Sequence, residues 1–359
     1  MLKKKILITL GTRPELIKLF PLIKSLSVSK KFIVKTCYTG QHKELVKMSS
    51  KLFEFEPEFS LNIMKKSQNS VDIVKNIFSK FENINKKFNF ESIIVQGDTT
   101  TAMAAALASF YLKKKIIHIE SGLRTGDIND PFPEEANRKI ISQIATLHFA
   151  PTKGAKNNLI KEGIKSKNIF VVGNTVIDTL KIFFNKHKII QNEKNIILCT
   201  LHRSENIEKN IEIVINSLLK IAKKNPSWKI IWPHHPNPII KKKLKKILNK
   251  KNNLIILNPL SYSDFIKVFK ECRLVISDSG GIQEEASYLG KYVFIMRKKT
   301  ERPEVIVNKT AKILNFNKNE IEDEINKFIK DKKWQKIKSS NCFGIGNTSK
   351  KIRKILENN

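Results

Sequence analysis

Short runs of aliphatic and β-branched residues recur along the chain. Each ends in a turn with glycine or a polar group and leads into a longer stretch with helical spacing. Ile6–Leu10, Phe32–Tyr38, Ser92–Val95 and Ile116–Ile119 read as strands, and Glu15–Leu26 and the alanine-rich Thr101–Leu112 as helices. The strand runs are apolar nearly throughout rather than alternating, which is the pattern of parallel strands covered on both faces. The pattern then restarts. Ile196–Leu201, Lys229–Trp232, Leu254–Leu257, Leu274–Ser277 and Tyr292–Met296 read as strands. Ile207–Lys224 reads as a helix with Ile211, Val214, Ile215, Leu218 and Ala222 on one stripe. The fold class is therefore α/β, with two doubly wound, Rossmann-like domains facing a cleft. We place them at residues 1–172 and 173–340, with the boundary near Gly173-Asn174. Residues 341–359 form a closing helix expected to pack back on the first domain. Ligands of such sheets bind beyond the carboxyl ends of the strands, so the cleft is the expected site.

The length of 359 residues suits two such domains. The charge needs a separate reading, because 67 Lys and Arg stand against 33 Asp and Glu, for a net charge of +34. A nucleic-acid interface concentrates its cations on one face and favours arginine forks. Here 8 of the 67 cations are Arg and the lysines are scattered, so the charge reads as a solvated surface. The Lys-rich stretch Lys241–Lys251 is read the same way, as an exposed helix face. No apolar run reaches the ~18 residues of a membrane span. The apolar segment near Met1 stops at Gly11-Thr12-Arg13, too soon for a signal peptide. Cys37, Cys199, Cys272 and Cys342 lie far apart without a CxxC, as reduced thiols of a cytosolic protein would. Nothing in the histidine spacing asks for a metal.

The candidate chemistry sits at strand ends. Gly11-Thr12-Arg13-Pro14-Glu15 follows the first strand, with Lys18 one turn further on. Pro14 fits a first helical turn, and Arg13 and Lys18 beside the free amides of a helix start suit a diphosphate or another anion; a plain capping turn is the alternative. The turn lacks GxGxxG, which argues against a dinucleotide in the usual pose. Asp98 either caps the alanine-rich helix or projects towards the cleft. Glu120 ends an apolar strand, where a carboxylate is expensive to bury without a partner or a task. Glu134 and Arg138, four apart after Pro131-Phe132-Pro133, form either a helix ion pair or part of a site. Three acids on neighbouring loops of one sheet edge could supply a general acid and a general base. In the second half, Ser279-Gly280-Gly281 leads from a strand into a helix, where backbone amides can approach a phosphate, and Glu285 lies one turn in, placed for ribose hydroxyls. His202-Arg203 and His234-His235 follow two other strands at the same edge and suit phosphate contacts.

At these residues the chain resembles the non-hydrolysing UDP-N-acetylglucosamine 2-epimerases. The similar segments include Gly11–Glu15, Thr39–His42, Gly97–Thr99, Glu120–Thr125, Pro131–Arg138, Gly173–Asp178, Thr200–Asn206, His235–Pro238, Asp278–Glu285 and Thr300–Glu304, in order along most of the chain. The resemblance implies a glycosyltransferase-B-like fold, a cytoplasmic homodimer and no cofactor. It implies that Asp98, Glu120 and Glu134 are catalytic. It implies substrate contacts from Arg13, Lys18, Arg138, His202, Arg203, His235 and Arg302, a phosphate loop at Ser279, Gly280 and Gly281, a ribose contact at Glu285, and Phe265 near the uracil. Gln41 and His42 match the neighbourhood of an allosteric site, although Glu44 and Ser67 depart from regulated members. Ser121 stands where the family commonly has Ala, with little effect expected.

The implied reaction is reversible epimerisation at C2 of UDP-N-acetylglucosamine, giving UDP-N-acetylmannosamine for cell-surface polysaccharide precursors. It runs through elimination of UDP to 2-acetamidoglucal. The alternatives are an epimerase of another UDP-2-acetamido sugar, a hydrolysing 2-epimerase, and a glycosyltransferase of the same fold. Hydrolysing relatives typically carry Gly-Asp-Arg where this chain has Gly97-Asp98-Thr99, which favours reversible epimerisation.

Overall fold

The computed structural model of the chain describes residues 2–40, 53–63, 69–187, 193–201, 204–234, 244 and 253–359, with the backbone alone at 186–187 and 204–209. They form two compact units, Met1–Ile182 with Cys342–Asn359, and Phe183–Asn341. The division falls inside the helix Thr175–His187, later than Gly173. The start of that helix is tied to the first unit, where Thr179 Oγ1 donates to Ile17 O at 2.6 Å. The closing helix, Thr348–Asn358, packs against the helix Arg13–Ser27 of the first unit.

The first unit carries a seven-stranded sheet of β1 (Lys4–Leu10), β2 (Phe32–Tyr38), β3 (Phe59–Ser60), β4 (Ser92–Gln96), β5 (Lys115–Ile119), β6 (Leu147–Ala150) and β7 (Ile169–Val171). Its order is β3-β2-β1-β4-β5-β6-β7, and every pairing is parallel. The second unit repeats the plan with β8 (Ile196–Thr200), β9 (Lys229–Pro233), β10 (Leu254–Leu257), β11 (Leu274–Ser277), β12 (Tyr292–Ile295) and β13 (Ala311–Ile313). Its order is β10-β9-β8-β11-β12-β13, again parallel throughout. Both sheets are thus doubly wound, and the strand order reverses between β1 and β4 and between β8 and β11. The carboxyl ends of those strands form the crevice where ligands of such sheets bind.

The apolar strand runs are buried along their whole length in β4, β8, β11 and β12, as helices on both faces require. In the first unit, Ile73, Ile77, Phe81, Ile84 and Phe88 share one face of the helix Ser70–Phe88. That face packs on the helix Thr100–Tyr111, whose alanines let the two backbones approach closely. In the second unit Trp228, Trp232, Phe294 and Phe328 anchor a core between the helices Ser204–Lys224 and Lys318–Lys330. The sequence pattern did not reveal β6, nor β3, β7 and β13, whose two or three residues are too few to show a period. Cys37, Cys199 and Cys272 are buried and Cys342 half-buried, all as free thiols. Burial pushes the Cys37 and Cys272 thiols up to about 12. Among the described residues no helix is long and apolar enough to cross a membrane.

His118 on β5 lies opposite His148 on β6, and both are fully buried at 0% exposure. Burial pushes the His118 imidazole down from 6.5 to about 3 and that of His148 from 6.5 to about 4. Between those values and 6.5 the unfolded chain binds more protons than the folded one. Stability is therefore full above pH 6.5 and is lost as pH falls below it, by roughly 1 kcal/mol per pH unit for each histidine. Urea unfolding at pH 7, 6 and 5 should show this decline, and His148→Gln should flatten it. An unchanged slope in that variant would count against a buried neutral imidazole.

Candidate active site

The turn after β1 begins the site. Thr12 caps the helix Arg13–Ser27 in a capping box: Glu15 N donates to Thr12 Oγ1 at 3.4 Å, and Thr12 N donates to Glu15 Oε2 at 2.7 Å. Glu15 also accepts from Gly11 N at 3.1 Å and from Thr99 Oγ1 at 3.0 Å, so one buried carboxylate joins the turns after β1 and β4. Burial raises its pKa, while the hydrogen bonds from Thr12, Thr99 and Gly11 oppose the rise. Arg13 opens the helix and is half-buried. One turn on, Lys18 is 8% exposed and its Nζ lies 2.7 and 2.6 Å from the two oxygens of Glu120.

That ion pair is the partner which the burial of Glu120 demanded. Glu120 follows β5 with a left-handed backbone (φ 64), a conformation that costs a non-glycine residue about 1 kcal/mol or more and clusters at functional sites. Its Oε1 accepts from Asn174 Nδ2 at 3.0 Å, and its Oε2 accepts from Gln96 Nε2. A Cβ on Gly97 would lie 3.8 Å from Glu120 Oε2, so the Gly97-Asp98 turn passes directly over this carboxylate.

Asp98 is not the cap of the next helix. Thr99 holds that role, accepting from Ala102 N at 3.0 Å. Asp98 is thereby free to meet Arg138, whose Nη1 donates to Asp98 Oδ2. The Asp98 carbonyl accepts from Asn137 Nδ2 at 2.8 Å, and the Gly97 carbonyl accepts from His118 Nε2 at 2.8 Å, the neutral imidazole carrying its proton there. Arg138 is 2% exposed and also donates from Nε to Glu135 Oε2 at 2.9 Å. Glu135 is itself fully buried and takes the Thr125 and Gly126 amides. Glu134 starts the same helix, Glu134–Ile144, and is half-buried at its positive end. Arg124 is spent elsewhere, on a two-pronged bond to Glu162 at 2.8 and 2.6 Å. Ser121 bonds the Nδ1 of His148 at 3.1 Å, a contact that an alanine there could not make.

In the second unit β11 ends at Ser277-Asp278 and the chain turns into the helix Gly280–Leu289. Ser279 N donates to Ser277 Oγ at 3.0 Å, and the Ser279 side chain makes no capping bond of its own. A side chain at Gly280 would strike Arg302 Nη1 at 2.2 Å, whereas a Cβ at Gly281 would meet nothing within 4 Å. Arg302 supports this turn from beneath, donating to Glu284 Oε1 at 2.6 Å and to Glu301 Oε1 at 2.5 Å while only 4% exposed. Glu285 accepts from Tyr262 Oη at 2.8 Å, and Tyr262 opens the helix that carries the half-buried Phe265. His234 directly follows β9 at 7% exposure. Gln41, His42, His202, Arg203, His235 and most of Lys241–Lys251 lie outside the described residues.

Lys18, Asp98, Glu120 and Arg138 therefore meet at the carboxyl edge of the first sheet. Ser279, Gly280, Gly281, Glu285 and Arg302 meet at the corresponding edge of the second. Sequence reasoning did not single out Glu15, Gln96, Glu135, Asn174 or Tyr262. Gln96 did carry a signal, being polar at the end of an apolar run just as Glu120 is, and Asn174 follows a glycine in a segment already noted.

The family model for UDP-N-acetylglucosamine 2-epimerase matches residues 24–357. The chain is 41% identical to the UDP-N-acetylglucosamine 2-epimerase of Campylobacter jejuni, over 98% of this chain and 97% of that protein. The crystal structure of the UDP-GlcNAc 2-epimerase from Neisseria meningitidis bound to UDP-GlcNAc superposes with a TM-score of 0.94 at 39% identity, covering 99% of this chain and 100% of that one. The Methanocaldococcus jannaschii enzyme in complex with UDP-GlcNAc and UDP has a TM-score of 0.86 at 32% identity, covering 99% of this chain and 100% of that one. Two doubly wound, parallel sheets place the chain in the glycosyltransferase-B-like fold class of these enzymes. The chain belongs to the UDP-N-acetylglucosamine 2-epimerase family.

Removing one partner of a buried ion pair leaves the other charge uncompensated, at a cost of about 3–5 kcal/mol. Lys18→Met should lower the unfolding free energy by that order, and adding Glu120→Gln should restore part of it. Urea unfolding of the two single variants and the double variant measures the coupling; strict additivity would show that the pair contributes nothing to stability.

Proposed function

We propose that the chain interconverts UDP-N-acetylglucosamine and UDP-N-acetylmannosamine by eliminating UDP across C1–C2 and adding it back. The observation that carries this reading is the pairing of Glu120 with Lys18 and of Asp98 with Arg138, on the helix that Glu134 begins, in a chain of this family. The C2 proton has no adjacent ketone to acidify it, so direct removal and return is disfavoured. Elimination avoids the difficulty. A carboxylate takes the C2 proton, the C–H electron pair becomes the C1–C2 double bond, and the C1–O bond breaks with its electrons leaving on UDP. Addition of UDP to the resulting 2-acetamidoglucal, with protonation of C2 from the opposite face, completes inversion. Acid and base groups on two faces are needed, and three carboxyls in three different settings supply them.

Charge develops on the departing diphosphate, so cations and amides must meet it. Arg13 and Arg138, together with His202, Arg203 and His235, are assigned there, with the Ser279–Gly281 amides at the start of their helix. Glu285 is assigned to the ribose hydroxyls and Phe265 to the uracil side. The geometry of Arg302 favours a role beneath the Gly280 turn, where it shapes the backbone that receives phosphate. Gln41 and His42 are assigned to a regulatory sugar-nucleotide contact. The reading also includes a homodimer in the cytoplasm, supplying precursors of surface polysaccharide without a redox cofactor.

Proton NMR of UDP-GlcNAc with the protein in deuterated water tests the reading. New UDP-ManNAc signals should grow in with deuterium at C2, and neither NAD nor added metal should be required. Product without C2 exchange would sink the elimination route, and release of free N-acetylmannosamine with UDP would point to hydrolysis instead. Asp98→Asn, Glu120→Gln and Glu134→Gln should each lower kcat by ~10²–10⁴.

A further inference from the structure

We infer that Asn174 is a positioning residue for Glu120, and that residues 343–349 near the C-terminus hold Asn174 in place. The inference rests on the assignment of Glu120 to the reaction made above.

Asn174 is 3% exposed, just beyond β7. Its side-chain amide has two different neighbours. Oδ1 accepts from Val176 N at 3.2 Å at the start of the helix Thr175–His187, and Nδ2 donates to Glu120 Oε1 at 3.0 Å. An amide N–H can bond only to the oxygen and a carboxylate only to the NH₂ group, so these two contacts fix which way the amide points. Helix capping and carboxylate orientation are thus performed by one side chain. Aspartate at this position would keep the cap but lose the donor and set a second carboxylate against the first.

The backbone of Asn174 is clamped from the far end of the chain. Its N–H donates to Phe343 O at 2.7 Å, and Phe343 is 1% exposed. Gly173 has φ +94, and a Cβ there would strike Thr348 Oγ1 at 2.8 Å and Phe343 O at 2.9 Å, so the segment lies flat on this turn. Thr348 Oγ1 donates to Val172 O at 3.1 Å, which pins the residue before the turn as well. The helix Thr348–Asn358 is not capped by the side chain of its own Asn347. Its first amides are taken by Asp178, with Thr348 N at 3.1 Å from Oδ2 and Ser349 N at 2.8 Å from Oδ1. Asp178 lies on the helix that follows Asn174. The strap is therefore bonded to Val172 and Asn174 and, one turn later, to Asp178, and it braces the one residue among them that touches Glu120. Neither Phe343 nor Thr348 needs to approach the sugar for this to matter, because a displacement of the Asn174 backbone moves its amide relative to Glu120.

The test compares Asn174→Ala, Asn174→Asp, Glu120→Gln and the Asn174→Ala/Glu120→Gln double variant in the full chain, with urea unfolding run on each. A hydrogen bond to a charged group predicts a loss of about 10- to 100-fold in kcat for Asn174→Ala, with KM changed less than about threefold. A residue that acts through Glu120 adds little further loss once Glu120 is replaced, whereas a merely structural residue subtracts its full effect again. Thr348→Val, which removes the hydroxyl's bonds to Val172 and to Asp178, should lower kcat by about threefold or more with KM unchanged.

Wild-type kcat in a folded Asn174→Ala or Asn174→Asp variant would overturn the inference, as would full additivity in the double variant. Loss of stability without loss of kcat in Thr348→Val would overturn the role of the strap. If wild-type protein fails to epimerise, or Glu120→Gln keeps full activity, the functional reading itself fails, and that result is distinct from either of the others.

Discussion

A carboxylate taken out of water must be met by a cation and by donors for its remaining lone pairs, or its burial costs several kcal/mol. Glu120 imposes that constraint on the first unit. Lys18 comes from the helix after β1, Gln96 from the end of β4 and Asn174 from beyond β7, so one side chain collects contacts from most of the sheet's carboxyl edge. The neighbouring turn obeys the same logic. Asp98 meets Arg138, and Arg138 is held in turn by Glu135, itself buried among backbone amides. These contacts leave little freedom in where Glu120 and Asp98 can sit, and preorganised polar groups are what a reaction that moves charge requires.

The cations divide by chemistry. Arginine serves where two oxygens must be bridged in a buried setting: Arg138 between Asp98 and Glu135, Arg302 between Glu284 and Glu301, and Arg124 on Glu162. A planar fork with several donors satisfies such sites, whereas the ammonium of lysine is a compact point charge. Lys18 suits its place because a point charge can sit between the two oxygens of one carboxylate. Most other lysines among the described residues are exposed, as in the pair of Lys86 with Glu82, where both side chains are more than 60% exposed (68% and 63%) and contribute little to stability. The net charge of +34 thus describes a surface, while the informative cations are few and buried.

Much of the architecture was legible in the order of residues. Buried parallel strands leave continuous apolar runs, so β2, β10 and β11 were placed at their observed bounds, and polar residues at the ends of such runs marked Glu120 and Asp98. Short edge strands were not legible, because β3 and β13 are too brief to show a period. The choice between cap and site at Asp98 was also closed to sequence reasoning, since Thr99 beside it is an equally good cap and only the arrival of Arg138 separates them. Glu134 and Arg138 read naturally as an i, i+4 pair, yet the fork of Arg138 reaches back to Asp98, 40 positions earlier.

What the amino-acid order determined by itself was local: where strands begin, which turns carry glycine or acid, which faces are apolar, and through its motifs the family. These follow from backbone geometry and side-chain period, which act over a few residues. What only the tertiary structure decided was the pairing of buried polar groups. Lys18 meets Glu120 across 102 positions and Asn174 meets it across 54, while the chain's last helix is capped by Asp178 from 170 positions away. No local rule selects such partners. They are set by the strand order of the sheet, which brings distant turns to one edge, and by the cost of leaving any one of those groups buried alone.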